Sequence, residues 1–226
     1  MSESTTRVTT PAKAWDEMRR GNERFVNGEP SHPRQDVERR AELAGAQTPR
    51  AALFGCSDSR LAAEIIFDKG LGDLFVIRNA GQVVSSSVLG SLEYAVAVLN
   101  VPLIVVLGHD ECGAVRAAID SQAADAPLLP PHIDRIIQKI VPAVRRVSVA
   151  TGVISADEGS QKQVVDTRAI DASLVGREHL RDTIAELLER SEMISDAVAA
   201  GTLAIVGANY RLLEGRADAD IVVGSI

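Results

Sequence analysis

The chain has 226 residues, of which 46% are hydrophobic and 24% charged, as is usual for a globular protein with a full buried core. Its 24 basic and 31 acidic side chains give a formal net charge of -7. That charge argues against a partner that is nucleic acid or an anionic membrane surface, and favours a protein that handles small molecules. Two cysteines are too few for a disulfide framework, which indicates reduced thiols in a reducing compartment.

The first part of the chain is predicted to be a tail followed by a helical arm. Residues 1–10 are polar and rich in Ser and Thr, which predicts a flexible tail, and they contain no apolar segment typical of a secretory signal. No stretch approaches the ~20 uninterrupted apolar residues of a membrane helix, so the cytoplasm is the expected location. From Pro11 the apolar spacing predicts a helix that stops at Gly28, and residues 11–226 are predicted to form a single domain.

The rest of the chain alternates between strand-like and helix-like segments. Buried strands are predicted over 51–56, 73–79, 101–109 and 202–209, and helices over 85–100, 113–124, 130–148 and 171–201. The strands are aliphatic almost throughout, so both faces of their sheet should be covered. A polar surface loop is expected over 151–168, and "ADIVV" near the end indicates a further edge strand. We therefore predict an α/β fold with a mainly parallel, four- to five-stranded sheet flanked by helices and preceded by an N-terminal helical arm.

Two of the predicted strands end in side chains that bind metals. Cys56 ends the first strand, and the third ends in "GHDECG", which carries His109 and Cys112. Ligands of open α/β sheets bind beyond the carboxyl ends of the strands, so these three side chains should meet there. Two thiolates and one imidazole are a favourable ligand set for zinc, with a fourth position left open as in catalytic sites.

Other roles for these residues remain possible when each is considered alone. Cys56 could serve as a small buried apolar side chain, and His109 could cap the helix that follows it. A Cys–His hydrolase pair would leave Cys112 without a role. The His-x-Glu of "GHDECG" begins a zinc-deaminase signature, but the required Pro-Cys-x-x-Cys does not follow. "CSDSR" lacks the glycines of a phosphate-binding cysteine loop. Considered together, Cys56, His109 and Cys112 favour a metal site.

The pattern Cys-x-Asp-x-Arg, followed about fifty residues later by His-x-x-Cys, resembles that of the bacterial β-class carbonic anhydrases. The stretches "GNERFVNG", "GDLFVIRNAG", "SLEYAVAVLNVPLIVVLGHDECGAV" and "GANYRLLEG" are similar to further landmarks of that family, in the same order. The resemblance covers about residues 11–215. It implies one zinc ion per chain, held by Cys56, His109 and Cys112, and reversible hydration of carbon dioxide to bicarbonate and a proton through zinc-bound hydroxide.

The resemblance also gives a task to Asp58 and Arg60. Asp58 is expected to accept a hydrogen bond from the zinc-bound hydroxide, while Arg60 holds the carboxylate away from the metal. If released, Asp58 would become a fourth zinc ligand and close the site. The alternative is a surface ion pair of little energetic value.

Further residues match family positions outside the zinc site. Gln47 matches a glutamine that contacts substrate in the neighbouring subunit, which implies a homodimer or a dimer of dimers; a polar loop residue is the alternative. Arg78 and Tyr210 match two positions of a bicarbonate pocket found in some bacterial members, but Leu53 stands where that pocket has a tryptophan. Structural hydrogen bonds near the sheet are the alternative for both. Two other functions remain open, a non-catalytic zinc-binding homologue and a carbon disulfide hydrolase of the same family.

Overall fold

The sheet of this chain is seen in a computed structural model that describes residues 9–153 and 166–226. Within those residues, five strands form one sheet in the spatial order β2-β1-β3-β4-β5. The strands are β1 (Ala51–Cys56), β2 (Leu74–Asn79), β3 (Leu103–His109), β4 (Ala204–Arg211) and β5 (Arg216–Val223). β1 to β4 run parallel to one another, and β5 pairs antiparallel with β4 at the edge. The predicted α/β fold with a mainly parallel sheet is confirmed.

Helices cover both faces of the sheet. They are α1 (Pro11–Val26), α2 (Val37–Glu42), α3 (Ala63–Ile66), α4 (Ser86–Ala97), α5 (Gly113–Asp120), α6 (Pro131–Gln138), α7 (Val141–Ala150), α8 (Ala172–Arg190) and α9 (Glu192–Ala199). Neighbouring residues of β1 face opposite ways, so Leu53 packs in one apolar cluster with α1, α5 and α7, whereas Phe54 packs in another with α4 and α8. Across residues 9–153 and 166–226, no helix has both the length and the apolar character needed to cross a membrane.

Two long helices predicted from the sequence are wrong, because each is broken in the structure. The helix expected over 130–148 is divided into α6 and α7. Pro142 lies at the start of α7 and has no N–H, so a continuous helix would lack one backbone hydrogen bond there. The helix expected over 171–201 is divided at Ser191, whose hydroxyl accepts a hydrogen bond from the backbone N–H of Ile194 and caps α9.

The N-terminal helical arm packs on the domain through α1. Thr10 caps this helix by accepting a hydrogen bond from the N–H of Lys13, and Trp15 and Met18 are buried against the core. Of the predicted tail, residues 1–8 lie outside the described residues, as does most of the predicted loop at 151–168. The arm therefore forms part of the same apolar cluster that packs on β1 and β3.

Candidate metal centre

The candidate metal centre lies where β1 and β3 end side by side. Cys56 is the last residue of β1 and His109 the last of β3, and parallel pairing brings both ends to one edge of the sheet. The chain then turns through Glu111, which has a positive φ of 50°, and places Cys112 at the N-cap of α5. The two sulfurs and the imidazole all lie within 4.8 Å of one another, and all three residues are buried. The structure therefore brings together the three predicted ligands.

His109 is oriented with a free nitrogen toward the two sulfurs. Its Nδ1 lies 2.7 Å from the backbone carbonyl oxygen of Asp110, and a carbonyl only accepts, so Nδ1 carries the proton. Nε2 therefore keeps its lone pair. Among the described residues, this buried atom has no hydrogen-bond partner. An unpaired buried nitrogen is costly, and a ligating histidine whose other nitrogen is fixed by a carbonyl is the usual arrangement at a metal site.

The two thiols are neighbours in this cluster, and their pKa values shift in opposite directions. The neighbouring thiol of Cys112 lowers the pKa of Cys56 well below its usual range, against the opposing effect of burial, and the backbone N–H groups of Gly81 and Asp58 add to the shift. The bond to Cys56, together with burial, raises the pKa of Cys112. A thiolate is thus favoured at Cys56 before any metal binds. Two sulfurs and one imidazole nitrogen form a donor set that fits zinc.

Asp58 and Arg60 form an ion pair next to these ligands. Arg60 donates from its backbone N–H and Nε to Oδ1 of Asp58, at 3.0 and 2.9 Å, and from Nη2 to Oδ2, at 2.7 Å. These bonds lower the pKa of the Asp58 carboxyl well below its usual range, so it is ionised at neutral pH. Arg60 also donates to the backbone carbonyl of Glu111 at 3.2 Å, which connects the pair to the turn between His109 and Cys112.

Comparison with known proteins decides the family. The sequence pattern that defines the family "Carbonic anhydrase" matches residues 51–217. The chain belongs to the carbonic anhydrase family.

Relatives and solved structures place this carbonic anhydrase in the β class. "Carbonic anhydrase 2" of Mycobacterium tuberculosis is 48% identical over 218 residues, which cover 96% of this chain and 97% of the relative. "Carbonic anhydrase" of Mycolicibacterium smegmatis is 45% identical over 219 residues, with coverage of 96% and 97%. A tetrameric β-carbonic anhydrase of Sordaria macrospora superposes with a TM-score of 0.67 at 25% identity, over 82% of this chain and 87% of its own. The predicted bacterial-type β class and the predicted carbonic anhydrase enzyme are confirmed.

Arg78 of this carbonic anhydrase makes structural hydrogen bonds beside the metal centre. Its Nε donates to the backbone carbonyl of Cys56 at 2.9 Å, and its Nη2 to that of Asp58 at 2.5 Å. Tyr210 is buried on β4 directly opposite His109, and burial raises its pKa. Leu53, at the tryptophan position of the bicarbonate pocket, is an apolar core residue. The observed contacts of Arg78 therefore support its structural role.

Gln47 is not brought to the metal centre of its own chain. It is exposed in the segment before β1, and it lines a cavity of about 530 Å³ at the amino ends of the strands, together with Arg34, Arg39 and Asp73. The ligands lie at the carboxyl ends, on the opposite edge of the sheet. Within one chain, Gln47 therefore lies too far from the candidate metal ligands to contact them.

Gly81 is a residue of the site that the sequence analysis did not single out. Its backbone N–H donates to Sγ of Cys56 at 3.3 Å, from the short 3-10 turn of Ala80–Gln82 that follows β2. Its φ of 73° is in the left-handed region, where glycine is favoured. The signal available in the sequence was a glycine immediately beyond the carboxyl end of a buried strand, next to the expected ligand edge.

Proposed function

We propose that this chain catalyses the zinc-dependent, reversible hydration of carbon dioxide to bicarbonate and a proton, with one zinc ion per chain. The observation that carries the proposal is the buried set of Cys56, His109 and Cys112, with the Asp58–Arg60 pair beside it. Membership of the carbonic anhydrase family supports the reaction. The donor set supports the metal, because two sulfurs and an imidazole nitrogen suit zinc and leave a fourth coordination position open.

Three side chains would hold the metal, and two of them, His109 and Cys56, are already prepared for that task. His109 presents an unprotonated Nε2 because its Nδ1 is held by the carbonyl of Asp110. Cys56 is biased toward the thiolate by the donors around it. Bound zinc supplies a Lewis acid that lowers the pKa of a coordinated water from about 15.7 toward about 7.

Asp58 would orient the attacking oxygen. Its carboxylate is ionised and can only accept hydrogen bonds, and among the described side chains only Arg60 is bonded to it. A free lone pair on this carboxylate can accept a hydrogen bond from the attacking water, which would turn a lone pair of the water oxygen toward carbon dioxide. Arg60 occupies both carboxylate oxygens, which keeps Asp58 from binding in the fourth coordination position as it would in a closed site.

The active form would be a homodimer or a dimer of dimers. Gln47 lies at the edge of the sheet opposite its own metal centre, so it can contact substrate only in the site of a neighbouring subunit. The relative from Sordaria macrospora is tetrameric, which supports such an assembly. We propose the cytoplasm as the location, because the two cysteines form no disulfide framework and both are assigned here to the metal.

The test is a carbon dioxide hydration assay by stopped flow, from about pH 6.5 to about pH 9, on protein whose zinc content has been measured. We expect about one zinc per chain. The hydration rate should rise with pH, because a larger fraction of the attacking water is deprotonated as pH passes its pKa near neutrality. Cys56→Ser is the control, and it should lose zinc and activity together because a serine hydroxyl is not a thiolate ligand.

Other results would point to the alternative functions. Full zinc loading without hydration at any pH would indicate a non-catalytic zinc-binding homologue. Consumption of carbon disulfide in preference to carbon dioxide would indicate the hydrolase of the same family. A hydration rate that stays flat with pH, despite full zinc loading, would contradict the proposed role of a deprotonated water.

A further inference from the structure

His179 is a buried histidine far from the metal ligands in the sequence and outside the proposed reaction. It lies on the inner side of α8 and is only 3% exposed. Its Nε2 is 2.7 Å from the backbone carbonyl oxygen of Gly81, 98 residues earlier in the chain. A carbonyl only accepts, so Nε2 carries a proton and donates it. Burial lowers the pKa of His179, which keeps the imidazole neutral with this single proton.

Gly81 connects this histidine to a zinc ligand. Its carbonyl accepts from His179, while its N–H donates to Sγ of Cys56 at 3.3 Å. The turn that contains Gly81 is closed at its ends by the side chain of Asn79, which accepts from the N–H of Val83 and donates to the carbonyl of the same residue. The middle of the turn is held separately, by His179.

The turn at Gly81 needs such an anchor. A glycine with a φ of 73° has no side chain to restrict it, so its peptide groups can rotate at low cost. A Cβ at this position would lie 2.8 Å from Cβ of Ala114 in the first turn of α5, so a larger residue cannot stiffen the turn. A hydrogen bond from outside the turn is therefore the means by which the direction of the Gly81 N–H is kept.

Packing alone does not explain a histidine at this position. Among the described residues, Nδ1 of His179 is buried without a hydrogen-bond partner. A leucine or methionine would fill the same space and remove the unpaired Nδ1, but it would leave the buried carbonyl of Gly81 without its donor. A buried polar group that is only half satisfied is expected where its one remaining bond has a function.

We propose that His179 is a positioning residue of the metal centre, which holds the Ala80–Gln82 turn so that the Gly81 N–H stays directed at the sulfur of Cys56. The inference rests on the proposed zinc site. A hydrogen bond to a ligand sulfur stabilises the thiolate and fixes its orientation, as outer partners of metal ligands do. Through this contact, α8 supports a site to which it contributes no ligand.

The test compares two variants of similar length in the zinc-loaded full chain. His179→Gln places an amide nitrogen at the same number of bonds from Cα as Nε2 and can still donate to Gly81. His179→Met has no donor. We expect zinc release into an excess of chelator to be about 10-fold faster in His179→Met, whereas His179→Gln stays within about threefold of the unmodified protein, by analogy with outer-sphere partners of metal ligands.

A spectrum separates positioning from a general loss of stability. In the cobalt-substituted protein, the sulfur-to-cobalt charge-transfer band should shift to longer wavelength in His179→Met, because a sulfur that has lost a hydrogen bond gives up electrons more easily. His179→Gln should restore the band. Ser148→Ala is the matched control, since it removes a different buried hydrogen bond, from the Ser148 hydroxyl to the carbonyl of Val144 in α7. It should leave both the band and the release rate unchanged, whatever its effect on the melting temperature.

The possible outcomes distinguish this inference from the proposed function. Equal release rates and equal spectra in His179→Met and the unmodified protein would overturn the inference alone. Zinc binding without carbon dioxide hydration would overturn the proposed function alone, and a chain that takes up neither zinc nor cobalt would overturn both. If His179→Met does not fold, His179→Asn replaces it, because its shorter amide cannot reach Gly81 and must release zinc faster than His179→Gln.

Discussion

Two aspartate–arginine pairs in this molecule look alike in charge and differ in what surrounds them. In the metal centre, Asp58 is held by Arg60, two residues later in the chain, and the side chain of that arginine is half exposed. Beneath the N-terminal arm, the Asp68 side chain is 1% exposed and is bonded by Arg24 through Nε at 2.6 Å. Ser31 and His32 add three more hydrogen bonds to the Asp68 carboxylate, two of them from backbone N–H groups.

The pKa of both carboxyls is lowered, but for different reasons. At Asp58 the hydrogen bonds from Arg60 are the main cause. At Asp68 burial alone would raise the pKa, and the donors of Ser31, Arg24 and His32 together outweigh it. The partners of Asp68 lie 36 to 44 residues away, so its charge joins the arm to the domain. Among the described residues, the Asp58 carboxylate is bonded only by Arg60, two positions away, and it keeps capacity to accept a further hydrogen bond. A lowered carboxyl pKa therefore does not by itself identify a catalytic residue.

The largest effect should come from removing the buried carboxylate. Asp68→Ala leaves the N–H groups of Ser31 and His32 without their acceptor and Arg24 without its partner, so we expect the free energy of unfolding to fall by about 3 kcal/mol. Denaturation in urea measures it. Asp58→Ala is the matched control, and its free energy of unfolding should stay close to that of the unmodified protein because exposed ion pairs contribute little. Equal losses of unfolding free energy in the two variants would contradict the predicted difference between the two carboxylates.

A second prediction compares the removal of each of the two arginines. Arg60→Ala releases Asp58 toward the metal, and we expect the carbon dioxide hydration rate per bound zinc to fall by about 10- to 100-fold with little change in melting temperature. Arg24→Ala should affect stability and not the hydration rate, because its partner Asp68 joins the N-terminal arm to the domain and lies outside the candidate metal centre. Its rate per zinc should be unchanged and its melting temperature lower. A hydration rate in Arg60→Ala equal to that of the unmodified protein would refute the idea that Arg60 restrains Asp58.

The smallest effect concerns acid stability. The pKa of Asp68 is lower in the folded chain than in the unfolded chain, where it is about 3.9, so its stabilising contribution is present above that value and declines below it. The difference in free energy of unfolding between the unmodified protein and Asp68→Ala should therefore shrink as pH falls below about 4, by at most about 1.4 kcal/mol per pH unit. Urea denaturation between about pH 5 and about pH 3 measures it. A difference that stays constant would show that the charge of Asp68 does not stabilise the arm.

Much of the site could be predicted because its information is local. Cys56 and His109 each end a buried aliphatic segment, and the ends of parallel strands must meet at one edge of a sheet. Cys112 follows His109 by three residues, and Arg60 follows Asp58 by two, so these partners were visible in the sequence itself. The helix predicted across Pro142 is wrong for an equally local reason, because the apolar spacing runs on past a proline, which lacks the N–H that a continuous helix needs.

By itself, then, the sequence determined which segments form the buried strands, the three candidate ligands at two strand ends and the adjacent ion pair, because each is recognised from one strand-like segment and the few residues that follow it. Only the tertiary structure decided that His179 bonds to Gly81 across 98 residues, and that Ser31 and His32 enclose Asp68. It also decided that Gln47 lies at the edge of the sheet away from the candidate metal ligands. Such contacts follow from how helices pack on the sheet, and no periodic pattern or short motif carries that information.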